Sequence, residues 1–238
     1  MKFKNKIVLG TMKLKKYFNN RNTLSKFLDY AYKKGIKQLH VSSEYNSYNL
    51  LKNSLKKINK RKFTLIVKLS ESNTDKKKFS LKRFEKKIYK YYKDLGKKHA
   101  YIVQLVNRYK CKNFEEYLYY EQRTFDIIED TVIKLKKEKI IKSFYFFPYH
   151  KNENKIRSRP FINGITIYRN MHENPNDNYA KQNKYKIIAI RTFGGNKKKS
   201  IKKNLKKLIM YNLNNKMVKK VIVGANNKEQ LSQLIAVC

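Results

Sequence analysis

Short apolar, β-branched runs alternate along this chain with longer segments in which apolar residues recur every three or four positions. The short runs predict strands and the longer segments predict amphipathic helices, so their regular alternation indicates repeated strand–helix units with a parallel sheet. The predicted strands cover residues 7–10, 38–41, 64–68, 100–105, 142–147, 164–168, 185–190 and 218–223.

The clearest predicted helices cover residues 23–34, 80–95, 125–138 and 200–212, each with a lysine-rich face opposite the apolar one. Gly35 directly follows the first of them, as a helix stop does. The segment 148–163 is polar and contains Pro160, so we expect the fifth helix to be short or replaced by a loop.

About eight such units in 238 residues favour an α/β fold of the TIM-type (β/α)8 barrel class. A doubly wound sheet would show a glycine-rich GxGxxG turn after its first strand, and the chain has none. We therefore predict one barrel domain over residues 1–238. Side chains at strand carboxyl ends meet on one rim of such a barrel, and here they are Tyr45, Lys68, Gln104, Asn170, Gly194 and Gly224.

The formal net charge is +41, and its excess comes from lysine distributed over the whole chain. Charge alone favours nonspecific contact with polyanions at low salt. A specific nucleic-acid partner is not predicted, because basic and aromatic residues form no stacking platform. The lysine run 76–78 has two interpretations, a phosphate contact and a solvated loop, and the second is favoured.

Cysteine and hydropathy patterns indicate a cytoplasmic protein. Cys111 and Cys238 have no CxxC partner, so neither a disulfide framework nor a thiolate metal site is predicted. The chain has no run of roughly eighteen apolar residues and no usable signal-peptide core, so no membrane partner is expected. The oligomeric state stays open.

Two residues suggest proton-transfer chemistry. Tyr45 follows the second predicted strand, and Lys68 ends the third, where a lysine after so apolar a run is costly unless it is paired or solvated. A phenol becomes a better acid beside a cation, which stabilises its phenolate. Tyrosine occurs 19 times, however, so a surface or core role for Tyr45 remains an alternative.

Four segments resemble motifs of the aldo-keto reductases: IVLGTM at 7–12, AYKKGI at 31–36, HVSSEYN at 40–46 and VIVGANNKEQL at 221–231. The resemblance implies a TIM barrel that uses NADP or NAD to reduce a small carbonyl or sugar substrate. It implies that Tyr45 is the general acid and Lys68 its partner. His40 and Gln104 stand where the family has an aspartate and a histidine.

These two replacements predict weak or altered activity. A neutral His40 could accept a hydrogen bond from Lys68 and orient it less firmly than a carboxylate would, and the amide of Gln104 could polarise a carbonyl. The alternative is a catalytically inactive barrel with a binding or regulatory role.

The resemblance also implies a cofactor site at the loops after the seventh and eighth strands. Gly194, Gly195 and Gly224 would permit close backbone approach to phosphates. Asn170 would hold the carboxamide, or it is simply a turn asparagine. Lys228 is a candidate for a 2′-phosphate, and the choice between NAD and NADP stays open.

Overall fold

Eight parallel strands close into a barrel in the computed structural model, which describes residues 3–72, 79–109, 111–148, 158–174, 177–193 and 205–237. Each strand pairs with the next one along the chain, and the eighth pairs with the first. The TIM-type (β/α)8 prediction is therefore confirmed. The strands are β1 (Ile7–Gly10), β2 (Gln38–Val41), β3 (Thr64–Ser72), β4 (Ala100–Arg108), β5 (Ser143–Phe146), β6 (Gly164–Tyr168), β7 (Lys186–Ile190) and β8 (Val218–Val223).

Helices connect the strands in the predicted order. Gly35 follows the second of them with a φ of 95°, a left-handed conformation that favours glycine at a helix end. Between β5 and β6 the structure describes residues 147–148 and 158–163, which contain no helix, and the rest of the loop predicted around Pro160 lies outside the described residues. The helices are α1 (Leu14–Tyr17), α2 (Arg21–Lys33), α3 (Tyr48–Lys57), α4 (Leu81–Leu95), α5 (Phe114–Lys137), α6 (Asp177–Gln182), α7 (Leu205–Leu213) and α8 (Lys228–Ala236). None of those helices combines the length and apolarity that a membrane crossing requires.

One helix begins much earlier than predicted, since α5 starts at Phe114 and not at residue 125. Its first turns are rich in tyrosine and glutamate, which obscures the apolar period. The start is nevertheless encoded locally, because Asn113 Oδ1 accepts the backbone N–H of Glu116 at 2.9 Å. Glu116 in turn accepts the backbone N–H of Lys112 at 2.6 Å, a reciprocal pair of contacts similar to a capping box.

Strands β3 and β4 also continue beyond their predicted ends. Their pairing runs from Thr64 opposite Ala100 to Ser72 opposite Arg108. Contrary to the prediction, Lys68 is therefore not the last residue of its strand, and Gln104 lies further from the end of its strand than predicted. They are paired directly with each other, and both strands continue beyond them towards the carboxyl end of the barrel.

The barrel core consists of two layers. The larger cluster packs the strands against the surrounding helices. A smaller cluster inside the barrel comprises Val8, Ile66, Ile102, Tyr145, Ile188 and Ile222. Side chains two residues apart on a strand face the same side. The positions two residues after this inner layer are therefore directed to the carboxyl end of the barrel interior: Gly10, Lys68, Gln104, Phe147, Ile190 and Gly224.

A glycine allows one particularly close approach in the wall. A Cβ on Gly164 would overlap the carbonyl oxygen of Lys186 on the neighbouring strand and come within 2.7 Å of the Tyr145 ring. Only glycine fits between β5 and β7 at this point.

Candidate functional site

A pocket of about 600 Å³ opens at the carboxyl end of the barrel. All six positions that follow the inner core layer line this pocket, as expected for residues directed to the carboxyl end of the barrel interior. Its size is in the range usual for small-molecule sites. Residues lining it include Gly10, Lys13, His40, Tyr45, Lys68, Gln104, Phe147, Tyr168, Arg191, Thr192 and Gly224.

Four sequence-predicted site residues meet here, and His40 is at their centre. Its Nε2 lies 2.7 Å from Gln104 Oε1, and its Nδ1 lies 3.4 Å from the Tyr45 hydroxyl. An amide oxygen can only accept, so Nε2 carries the imidazole proton. Nδ1 is then the acceptor, and the Tyr45 hydroxyl donates to it. The three side chains form a directed chain from phenol to imidazole to amide.

Burial keeps this imidazole neutral. His40 is only 8% exposed, and desolvation lowers its pKa from an ordinary 6.5 to about 4. The hydrogen bond to Gln104 opposes this lowering of the pKa, and the nearby charge of Lys68 contributes to it. At neutral pH His40 therefore holds no positive charge and accepts from Tyr45.

Lys68 does not bond to His40, contrary to the sequence-based expectation. Its Nζ lies 3.2 Å from the Glu44 carboxylate, in the loop after β2. A carboxylate is a stronger partner for an ammonium group than a neutral imidazole, which is already engaged on both nitrogens. Sequence reasoning missed Glu44, although it directly precedes Tyr45.

The ammonium group also does not lower the pKa of the phenol as expected. Lys68 Nζ lies 5.9 Å from the centre of the Tyr45 ring, and its charge is offset by Glu44. Desolvation raises the pKa of Tyr45 well above the ordinary phenol value, and Tyr91 and Glu44 raise it further. In this arrangement Tyr45 is a hydrogen-bond donor that gives up its proton only to a strong base.

The opposite wall carries an aromatic and cationic stack that the sequence did not indicate. The guanidinium of Arg191, just after β7, lies 3.7 Å from the centre of the Tyr168 ring. Tyr168 packs edge to face on Phe147 at 5.1 Å. Beside them, the Thr192 hydroxyl is buried and has no hydrogen-bond partner among the described residues. A basic residue directly after an apolar strand was the available signal, as for Lys68.

The residues predicted to bind the cofactor do not all line the pocket. Gly224 lines the pocket, and the space that a Cβ there would occupy is open. Asn170 and Lys228 are not among the lining residues. Gly194 and Gly195, like the lysine run 76–78, lie outside the described residues.

Asn170 instead holds the turn after β6. Its Nδ2 donates to the Arg191 carbonyl at 3.2 Å and to Glu173 at 3.3 Å, while its Oδ1 accepts the His172 N–H at 2.9 Å. These contacts correspond to the turn alternative. Lys228 begins α8, with its ammonium group 5.4 Å from the Tyr30 ring.

The lining residues fit the nicotinamide end of a dinucleotide. Open space at Gly224 permits close approach to the backbone, and Thr192 supplies an unpartnered hydroxyl. Lys13 and Arg191 add two cations to the lining, and cations are suitable partners for the phosphates of a dinucleotide. Among the described side chains, no three or more His, Cys, Asp or Glu residues are grouped as a metal site would require.

A closed eight-stranded parallel barrel with a polar pocket at its carboxyl rim defines the class: a TIM barrel with the fold of the aldo-keto reductases. A Pseudomonas aeruginosa protein assigned to these reductases is similar over 98% of this chain and 88% of its own, with a TM-score of 0.75 and 16% identity. An aldo-keto reductase from Klebsiella pneumoniae, crystallised with NADPH, is similar over 98% and 84%, with a TM-score of 0.72 and 13% identity. Glycerol dehydrogenase from Gluconobacter oxydans is similar over 98% and 86%, with a TM-score of 0.67 and 13% identity. No family model and no curated protein matches the sequence.

Proposed function

We propose that this protein is a divergent NAD(P)H-dependent oxidoreductase that reduces a small carbonyl or sugar substrate, with weak or altered activity. One observation carries the proposal: Tyr45, His40, Lys68 and Gln104 line the same pocket as the open backbone at Gly224. Proton-transfer groups thus face the wall that fits a nicotinamide, across a space large enough for a small substrate.

Two structural neighbours support the cofactor and substrate class. The Klebsiella protein was crystallised with NADPH, and the Gluconobacter protein is a glycerol dehydrogenase. A nicotinamide bound at the Gly224 wall would supply a hydride to the carbonyl carbon. The protein must then place the carbonyl and deliver one proton to its oxygen, which yields the alcohol and the oxidised cofactor.

Tyr45 is the proton donor in this proposal. Its hydroxyl lies 3.4 Å from His40 Nδ1. This hydrogen bond is long, so a bound carbonyl oxygen could replace His40 as the acceptor. Although burial raises the pKa of Tyr45, an alkoxide is a stronger base than a phenolate, so the proton still moves to the substrate. Restoring the phenol is the harder step, because neutral His40 offers no proton at Nδ1.

Gln104 and Lys68 would position the carbonyl. The Gln104 amide oxygen is engaged by His40, so its Nε2 would be the donor to a bound carbonyl. Lys68 is held by Glu44 and contributes little net charge. Slow turnover is therefore expected for two reasons: the pKa of the Tyr45 phenol is raised, and the charge of Lys68 is offset by Glu44.

Purified protein should oxidise NADPH in the presence of at least one member of a broad panel of aldehydes and sugar ketones. Tyr45→Phe should lower kcat by at least about 100-fold, since general acid catalysis contributes roughly that factor. Tyr119→Phe, on an exposed residue of α5, is the matched control. No turnover by the unmodified protein across the panel would refute reductase activity.

A second variant tests the role assigned to His40. Asp at this position would add a carboxylate next to Lys68 and Tyr45, so His40→Asp should raise activity. An unchanged or lower rate would contradict the correspondence of His40 with the family's aspartate.

The alternative function is a barrel that binds a nicotinamide or small ligand without redox chemistry. It is favoured by the Lys68–Glu44 ion pair and by the burial of the Tyr45 hydroxyl, both of which oppose phenolate formation. Tight NADPH binding, followed by fluorescence, together with no turnover on the panel would support this alternative.

A further inference from the structure

The loop after β2 carries two groups of the candidate site, Glu44 and Tyr45, but the strand ladder does not hold this loop next to β3. Pairing of β2 with β3 ends at Val41 opposite Val67, one residue before Lys68. The 3.2 Å contact between Glu44 and Lys68 nevertheless requires that the loop and β3 keep one distance. A contact beyond the ladder must therefore fix the loop against Lys68.

Tyr91, on α4, supplies this contact. It is 2% exposed, and its hydroxyl accepts the backbone N–H of Ser43 at 2.6 Å. The same hydroxyl donates its single proton to the Lys68 carbonyl or to Ser43 Oγ, each 3.1 Å away. Ser43 directly precedes Glu44 and Tyr45, so one buried hydroxyl connects the loop that carries them to the backbone of β3.

The ring of Tyr91 is held in place by α3. Tyr48, the first residue of α3, packs against it edge to face, with the ring centres 5.7 Å apart. The Tyr48 hydroxyl donates to Asp94 at 3.1 Å, and Asp94 also accepts from Lys52 at 2.8 Å, so α3 is tied to α4. Burial raises the pKa of Tyr91 above the ordinary phenol value, so its hydroxyl keeps the proton that it donates.

Tyr91 is not part of the pocket surface. Tyr45 and Lys68 line the pocket, whereas Tyr91 lies on a helix outside the barrel and is not among the lining residues. It can therefore affect a bound molecule only through the loop and β3. The hydrogen bond from Tyr45 to His40 Nδ1 is already long at 3.4 Å, so a small displacement of the loop would break it.

We propose that Tyr91 is a positioning residue: its hydroxyl fixes the loop that carries Glu44 and Tyr45 at the distance from Lys68 that proton transfer requires. The consequence for catalysis rests on the proposed reductase function. The positioning itself does not, because these contacts exist without cofactor or substrate. Loss of the hydroxyl should therefore alter both the hydrogen bond from Tyr45 to His40 and the rate of turnover.

The first experiment needs no turnover. Tyr91→Phe keeps the ring and its contact with Tyr48 while it removes the hydroxyl. In NMR spectra of the protein without ligand, the nitrogen resonance of His40 Nδ1 reports whether Tyr45 donates to it. Tyr91→Phe should shift this resonance in the same direction as Tyr45→Phe does. Ser43→Ala, which removes only the 3.1 Å contact with Ser43 Oγ, should give a smaller shift.

Tyr185→Phe is the matched control. Tyr185 is also a buried tyrosine, 4% exposed, and its hydroxyl accepts the backbone N–H of Arg159 at 3.2 Å. It directly precedes β7 and so lies at the amino end of the barrel, away from the pocket. Its substitution should lower the melting temperature much as Tyr91→Phe does and leave the His40 resonance unchanged. An unchanged His40 resonance in Tyr91→Phe, or equal shifts in these two variants, would overturn the positioning role.

Kinetics test the consequence for catalysis. Tyr91→Phe should lower kcat at least about tenfold, since small errors in the placement of a reacting group are costly, whereas KM and the Kd for NADPH should stay unchanged. In a Tyr45→Phe background the same substitution should have a much smaller effect, because no proton donor remains to be positioned. Equal losses in both backgrounds would indicate a general structural effect and overturn the catalytic role. A shifted His40 resonance without any turnover by the unmodified protein would uphold the positioning and refute the reductase function instead.

Discussion

The neutrality of buried His40 predicts a measurable loss of stability in mild acid. In the unfolded chain this imidazole takes up a proton as pH falls through about 6.5, whereas in the folded barrel its pKa is lowered to about 4 by burial. Between these values the unfolded state binds more protons, so the free energy of unfolding must decrease as pH falls. The contribution is complete above pH 6.5 and is lost progressively towards pH 4.

The size of the effect follows from the two pKa values. A fall in pKa from 6.5 to about 4 corresponds to on the order of 3 kcal/mol at most, and the side chain is only 8% exposed, so little of it is lost to solvent screening. Burial likewise lowers the pKa of His99 to about 4, so this second histidine adds a similar slope. His40 must therefore be separated from it by substitution.

His40→Asn removes the titrating group and keeps polar contact with Gln104. Urea unfolding of both proteins should be measured from pH 7 to pH 4. The difference between the two unfolding free energies should narrow by roughly 2 to 3 kcal/mol over this range. His172→Asn, which removes a histidine from an exposed turn, is the matched control.

A direct titration avoids dependence on the variant's folding. In NMR spectra of the folded protein, the C–H resonances of the His40 ring should titrate with a midpoint at a pH far below that of a free imidazole. A midpoint near 6.5 for His40, or equal pH slopes for the parent protein and His40→Asn, would refute the buried, neutral imidazole.

Three further outcomes follow from the same structure. Glu44→Gln removes the counter-ion of Lys68 and one cause of the raised phenol pKa, so it should raise kcat by a few-fold; a fall would indicate that Glu44 is needed to hold Lys68 in place. Burial raises the pKa of Glu121 to about 8, so the contribution of this side chain to the free energy of unfolding is lost as pH rises from about 4.5 through 8. Glu121→Gln should therefore be more stable than the parent protein at pH 8.5, by roughly 2 to 4 kcal/mol in urea unfolding. Equal stability of the two proteins would contradict this. Gly164→Ala should cost at least about 2 kcal/mol because the added methyl overlaps the Lys186 carbonyl, and an unchanged melting temperature would show that β6 can move aside.

The order of elements was readable from the chain because strand and helix periods differ. Residues 38–41, 164–168 and 218–223 were predicted with the strand bounds that the structure has. Each strand is recognisable on its own, because both faces of a parallel barrel strand are buried and its sequence is therefore a short apolar run. The rim position of Lys68 and Gln104 was also predicted from the sequence, because each lies at or next to the end of an apolar run and such ends meet on one rim of a barrel.

What each rim residue contacts was decided only by closure of the barrel. Glu44 and Lys68 are 24 positions apart along the chain, and their 3.2 Å contact depends on how the loop after β2 is folded. The proton position on His40 depends on Gln104, which is supplied by a strand two places away. Arg191 and Tyr168 meet because β6 and β7 pair in one register. Periodicity determines which way a side chain points, but distances and pKa values depend on neighbours that only the tertiary structure brings together.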